Sequence, residues 1–271
     1  MNWPSTGIHH GVSESDYHSI GHKQNVLSKS MLWKFAQRQY KWAKSNQEVK
    51  QTDAMRWGSL VDCLALTPSA FDRDFAISPY DDYRTKAAQE WRKNETRTVI
   101  TSKEQDAAEV AAAELWKNCD AGPILSSAKT QVSCISDIDS EYRLKCRIDI
   151  LPEGDYSDWI FDLKTCSDLG RIEKDVFNFG YHVQAALYLS VWNALSPEKR
   201  NRFGFIFQES EPPFEVAVIE LDSEAIDAGS AEAANAIGSY LAHAKDGNFP
   251  RLYDGIKTVS LPAWYRKGGE A

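Results

Sequence analysis

Arg147-Ile148-Asp149 and, thirteen residues beyond that aspartate, Asp162-Leu163-Lys164 decide how this chain reads. Tyr142–Leu151 has the alternation of a strand, Pro152–Asp158 is a polar turn containing Gly154, and Trp159–Thr165 is a second strand. Side chains alternate across a strand, so residues two apart share a face. Leu144, Cys146, Ile148 and Ile150 are expected on one face, with Arg147 and Asp149 on the other. In the next strand Trp159, Phe161 and Leu163 oppose Ile160, Asp162 and Lys164. A hairpin then brings Asp149 near Asp162 and Lys164 on a common polar side. Carboxylate oxygens suit a hard cation such as Mg²⁺. A lysine beside them can orient or help deprotonate a water, or stabilise charge developing on a phosphate. The same spacing fits a salt bridge on a solvent-facing strand, and spacing alone leaves both readings open.

Outward from the hairpin, the strand Gln131–Ser136 and the turn Asp137–Ser140 precede it, completing a three-stranded meander. A helix from about Lys174 to Asn193 follows. Then come the strand Phe203–Gln208, the turn Glu211-Pro212-Pro213, the strand Glu215–Leu221, and a long helix capped by Asp222-Ser223 and reaching about Lys245. On the N-terminal side the pattern predicts irregular chain over 1–25 and an amphipathic helix over 30–45, with Ser28 or Ser30 as its cap. Further helices are expected over 53–66 and from Ser102, with capping-box spacing to Gln105, to about Asn118. The order suits one α/β domain over 1–271, with a helical N-terminal part at about 26–120 and a core at about 128–247.

Composition narrows the function classes. No window of eighteen apolar residues suggests a membrane span, and the N-terminus has no secretory pattern. Five cysteines (63, 119, 134, 146, 166), odd in number and without a C-x-x-C pair, read as free thiols of a cytoplasmic protein. A formal net charge of −8 disfavours a broadly basic nucleic-acid surface. It does not exclude local patches or a metal site that supplies positive charge where a phosphate sits. Lys34, Arg38 and Lys41 read equally as a solvated helix face or a duplex-binding strip, and Trp33 and Phe35 as core. The six histidines show no ligand pattern and are expected on the surface, with His182 near the site through its neighbour Gln184. Arg147 points to the side of Asp149, where it can pair with that acid or contact phosphate.

Together these residues resemble the PD-(D/E)xK nuclease core, of which Arg147-x-Asp149 and Asp162-Leu163-Lys164-Thr165 carry the metal motifs. Tyr181-His182-Val183-Gln184-Ala185-Ala186-Leu187-Tyr188 looks like the Q-x-x-x-Y motif of the RecB-type branch, and Leu27-Ser28-Lys29-Ser30-Met31-Leu32 resembles its early Ser-x-Ser motif. Gly7-Ile8, Glu14-x-Asp16-Tyr17-His18, the Phe177–Tyr188 run, Gln208-Glu209 and Ser260-Leu261-Pro262-Ala263-Trp264 are similar to the RecE-type exonuclease domain. The resemblance implies a restriction-endonuclease-like core, a mixed central sheet flanked by helices, with a helical N-terminal layer. It implies a Mg²⁺-dependent exonuclease (Mn²⁺ a possible substitute) that degrades one strand of linear duplex DNA from the 5′ end. The 3′ tails would pass to a RecT-type annealing protein, and the enzyme would be a ring tetramer. By carry-over Asp149 and Asp162 ligate metal, Leu163 offers its carbonyl, and Lys164 is the catalytic lysine. Gln184 and Tyr188 line the site from one helix face and touch the DNA strand. Ser28 and Ser30 are most simply helix caps, a position compatible with a DNA-phosphate contact, and Arg147 stays a candidate for phosphate or for Asp149. Gly58-Ser59-Leu60-Val61-Asp62 stands where the family has G-x-x-x-H, so Asp replaces His. An acid in that apolar stretch is costly unless paired or metal-bound, which makes Asp62 a candidate ligand. A Cas4-like single-strand nuclease and a non-catalytic scaffold binding DNA ends are the alternatives.

Overall fold

A computed structural model describes residues 4–45 and 51–262. Its main sheet has the strand order β1 (Gly7–His9), β5 (Ala128–Asp137), β6 (Arg143–Pro152), β7 (Trp159–Cys166), β8 (Arg202–Glu209), β9 (Val216–Glu220), and β2 (Val26–Ser28) pairs with β6. A separate small sheet joins β3 (Phe75–Ile77) to β4 (Thr98–Ile100). The β5–β6–β7 meander and the β8–β9 hairpin are antiparallel, whereas β7 and β8 run parallel. A parallel pair needs a crossover, and the helices α9 (Ile172–Asn178) and α10 (Tyr181–Leu195) supply it.

The helices fall on both sides of the sheet. On one side α2 (Lys29–Gln37), α3 (Gln39–Lys44), α10 and α11 (Ser223–Ala244) bury Leu32, Phe35, Trp42 and Val183 against Cys134, Cys146, Ile148, Phe203 and Phe205. On the other, α4 (Asp53–Leu66), α7 (Ser102–Lys117) and α8 (Ala121–Ser126) pack Leu60, Ala111, Leu115 and Ile124 on Ile150, Phe161, Leu163 and Ile206. The N-terminal helices are divided between the two faces, α2 and α3 on one and α4, α7 and α8 on the other. Short helices α1 (Glu14–Ser19), α5 (Phe71–Asp74) and α6 (Lys86–Asn94) complete the set.

Several sequence expectations are corrected. Of the segment expected to be irregular over 1–25, residues 4–25 carry two elements: β1 pairs along β5, and α1 buries Tyr17. The helix expected over 30–45 is two, broken at Arg38 (φ −156°, ψ 70°). The helix expected over 174–193 breaks at Gly180, which adopts φ +63°, a left-handed conformation that glycine enters without steric cost. A Cβ there would also come 2.6 Å from Cδ2 of Trp33. The cap of α7 is Thr101, in a reciprocal box with Glu104, one residue before the Ser102–Gln105 reading. Ala263 and Trp264 lie outside the described residues.

The most consequential correction concerns faces. Ile148 lies in the core under α10, but Ile150 lies in the core under α4. The β5–β6 ladder keeps its register through Thr130↔Ile150 and Val132↔Ile148 while skipping the intervening pair, Gln131 and Asp149. Gln131 has φ +53° inside the strand. That left-handed turn of the backbone rotates the strand there, so side chains before and after it exchange faces. β6 then touches β7 through the single pair Ile150↔Phe161, with β2 along the start of β6 instead. The strands splay at the position where the acids sit.

Candidate active site

Asp62 projects from α4, Asp149 from β6 and Asp162 from β7, and all three line one open cleft of about 1440 Å³. Gly58 lets α4 approach β7 closely, since a Cβ there would stand 3.1 Å from Oγ1 of Thr165. In the splay, the Asp149 carboxylate accepts a hydrogen bond from the Leu163 backbone N–H at 3.2 Å. Asp162, only 2% exposed, accepts from the Lys164 ammonium and from the Gln184 amide. The hairpin expectation is met: Asp149, Asp162 and Lys164 come together, with Gln184 and Tyr188 of α10 on the same cleft wall.

Burial raises the Asp62 carboxyl to about 7; the Arg147 guanidinium pulls the other way and Asp162 adds to the rise. Burial, and then Asp162 and Asp62, hold Asp149 well above the usual carboxylate range. Burial disfavours charge on Lys164, but Asp162 and Asp149 outweigh it and raise its pKa. Three crowded, half-desolvated carboxylates beside one ammonium are an oxygen-rich set of the kind a hard divalent cation takes. Among the described residues no three acids, histidines or cysteines stand close enough to make a ready metal cage. The Gln131 amide occupies the space between two of the acids. Its Nε2 donates to both oxygens of Asp62 (3.0 and 2.8 Å) and reaches Oδ1 of Asp149 at 3.4 Å. Its Oε1 accepts from Nε of Arg147. The chemistry fits a cation, and the Gln131 amide bridges two of the three acids.

Sequence reasoning missed Gln131. A glutamine in a β-strand carries no motif, and the signal lies in a backbone angle. Arg147 was left open between an acid and a phosphate; it hydrogen-bonds the Gln131 side chain, while its Nη1 is buried without a protein partner. Lys29, given no role of its own within the Ser28-Lys29-Ser30 motif, lines the cleft, its ammonium 2.5 Å from the Phe179 carbonyl. Burial, and then the neighbouring Lys164, lower its pKa to about 7. Lys34, Arg38 and Lys41 are exposed away from the cleft. Ser28 caps α2, and both Ser28 and Ser30 line the cleft. His182 is not a surface residue: it is 5% exposed and sits between the Val176 carbonyl and Glu232, behind the site. Gln208 is fully buried and binds the Ala111 carbonyl, a structural role.

No helix among the described residues is long and apolar enough to cross a membrane. A search of curated proteins found no match. Among solved structures, the fold is similar to a protein of Eubacterium rectale described as a candidate exonuclease. That similarity is 15% in identity with a TM-score of 0.65, over 95% of this chain and 98% of that one. An alkaline exonuclease of Laribacter hongkongensis also matches, at 15% identity over 60% of this chain and 84% of that one. Its TM-score of 0.32 is too low to argue from. The family model of the PDDEXK-like domain of unknown function (DUF3799) matches residues 27–259, a span from β2 past α11 that contains all three acids, Lys164, Gln184 and Tyr188. The mixed sheet, the splayed acidic hairpin and that match agree: the chain belongs to the PDDEXK-like family DUF3799, with a restriction-endonuclease-like α/β fold.

Proposed function

We propose that this protein is a metal-dependent exodeoxyribonuclease that degrades one strand of linear duplex DNA from its 5′ end and leaves 3′ single-stranded tails. The observation that carries the reading is the meeting of Asp149, Asp162 and Lys164 at the β6–β7 splay, inside an open cleft of about 1440 Å³. Asp62, Asp149, Asp162 and the Leu163 carbonyl would hold Mg²⁺ or Mn²⁺, which supplies charge neutralisation at the phosphate and lowers the pKa of a bound water. Lys164 keeps its proton through the pairing with Asp162, and so presents a fixed positive charge toward the scissile phosphate. Gln184 orients the second oxygen of Asp162. Arg147, Ser28, Ser30 and Tyr188 line the cleft where the strand would run.

The RecE-type resemblance supports the polarity, a RecT-type annealing partner, recombination by strand annealing, a ring tetramer and a cytoplasmic site of action. The decisive experiment incubates a 5′-labelled blunt duplex with Mg²⁺ and compares wild type with Lys164→Ala. Release of labelled 5′ nucleotides by wild type alone supports the exonuclease. Cutting of closed circular DNA would make it an endonuclease. Absence of cleavage in both Mg²⁺ and Mn²⁺ would leave a DNA-end-binding scaffold.

A further inference from the structure

Between α9 and α10 the chain reads Phe177-Asn178-Phe179-Gly180-Tyr181, and it places aromatic rings at the cleft rim that phosphate chemistry does not use. Phe179 lines the cleft and is 53% exposed. Phe177 is more exposed, but its ring already stacks on His182, 6.3 Å away and 8° from parallel. Phe179 leans on Tyr181 at 5.7 Å and 38°, so much of its surface stays open to the cleft.

The segment is also rigid where it matters. The Phe179 N–H donates to the Asp175 carbonyl at 3.0 Å, and the Phe179 carbonyl accepts from the Lys29 ammonium. Gly180 then turns the chain against Trp33. Two lysine side chains approach the Tyr181 ring: Nζ of Lys29 is 5.4 Å from its centroid and Nζ of Lys164 is 5.3 Å. Phe179 is one ring further along. A DNA strand whose scissile phosphate lies at Lys164 and whose next phosphate approaches Lys29 would carry a base past the open face of Phe179. Stacking on an aromatic ring beside a cation is how sequence-tolerant proteins hold single strands.

Resting on the exonuclease reading, we infer that Phe179 is a stacking platform for one unpaired base next to the scissile phosphate, with Lys29 holding the adjacent backbone. The occupant is a nucleobase rather than a protein side chain, because the ring continues the wall of the candidate cleft and its neighbour Tyr181 has two lysine amines within 5.4 Å of its ring.

The test is a cycle between protein and DNA, with binding measured by anisotropy in EDTA so that no cleavage occurs. The probes are a 5′-phosphorylated duplex and the same duplex with an abasic site at the terminal or the next 5′ nucleotide. Wild type is expected to bind the abasic probe about 5- to 100-fold more weakly at one of those positions. In Phe179→Ala that penalty should vanish, and Phe179→Trp should restore it. Wild type that binds no DNA would sink the exonuclease reading along with the platform. Wild type that binds DNA but shows no abasic penalty, or an equal penalty in Phe179→Ala, overturns the platform alone. Altered sedimentation of DNA-free Phe179→Ala with an unchanged penalty would make the rim a subunit contact, and overturns it too.

Discussion

Replacing Gln131 by alanine removes the amide that joins Asp62, Asp149 and Arg147, and leaves three polar groups to find other partners. Hydrogen bonds to charged groups contribute about 1.5–3 kcal/mol each, and Gln131 makes short contacts to Asp62 and to Arg147. Asp62, Asp149 and Arg147 are only half-buried, so water can recover part of that loss. The expected cost is about 2–4 kcal/mol, equivalent to roughly 4–7 °C in Tm for a chain of this size. Gln131→Gly separates the backbone from the side chain. A left-handed conformation costs a residue with a Cβ roughly 1–2 kcal/mol, while glycine loses some of that advantage to its freer unfolded state. The glycine variant should therefore be the more stable of the two by up to about 1 kcal/mol. Urea unfolding in EDTA, followed by circular dichroism and tryptophan fluorescence, measures both. An alanine variant within about 0.5 kcal/mol of wild type would refute the network. A glycine variant less stable than the alanine one would refute the strain at φ +53°.

Lys164→Ala and Asp162→Asn should each lower single-turnover cleavage of linear duplex by about 10²- to 10⁴-fold with the circular dichroism spectrum unchanged; activity within tenfold of wild type would remove both from the chemistry. Mg²⁺ should raise Tm more at pH 8 than at pH 6. Asp62 is raised to about 7 and Asp149 is raised too, so protons compete with the cation below that pH and leave above it. The sign for the metal-free protein is opposite: a carboxyl raised in the fold stabilises it most below its unfolded pKa, and that stability is lost as pH rises through about 7. A larger Mg²⁺ effect at pH 6 would show that these acids are not the ligands. Gly180→Ala should destabilise by about 2–4 kcal/mol, because its φ is +63° and the new Cβ would meet the Trp33 ring; a fall in Tm of under a degree would mean that the α9–α10 turn yields easily.

Elements driven by a repeating pattern were legible in the sequence, and those set by a single backbone angle were not. α4, α11 and the β8–β9 hairpin follow from uninterrupted apolar periodicity, and their observed bounds lie within about two residues of the expected ones. The breaks at Arg38 and Gly180 were hidden because helical periodicity continues across both; the second depends on a glycine with a left-handed φ whose missing Cβ leaves room for the ring of Trp33, 147 positions away in the chain. β1 and β2 were hidden for a different reason. They are three residues long and are strands only because β5 and β6 offer them an edge, and tertiary context decides so short a segment. The site shows the same division. Asp149, Asp162 and Lys164 were readable because strand alternation places them together. Yet strict alternation would have carried Ile148 and Ile150 to one face and continued the β6–β7 ladder past the acids. The left-handed residue at Gln131 breaks that alternation, opens the splay, and at the same point supplies the amide that holds Asp62 and Asp149. The place where the pattern fails is therefore the place where carboxylates can face a cleft instead of pairing across a sheet. A regular hairpin with the same acids would have left the Asp162–Lys164 pair on a solvent-facing strand, the other reading of the spacing; here that pair lies in the cleft, with Asp162 buried.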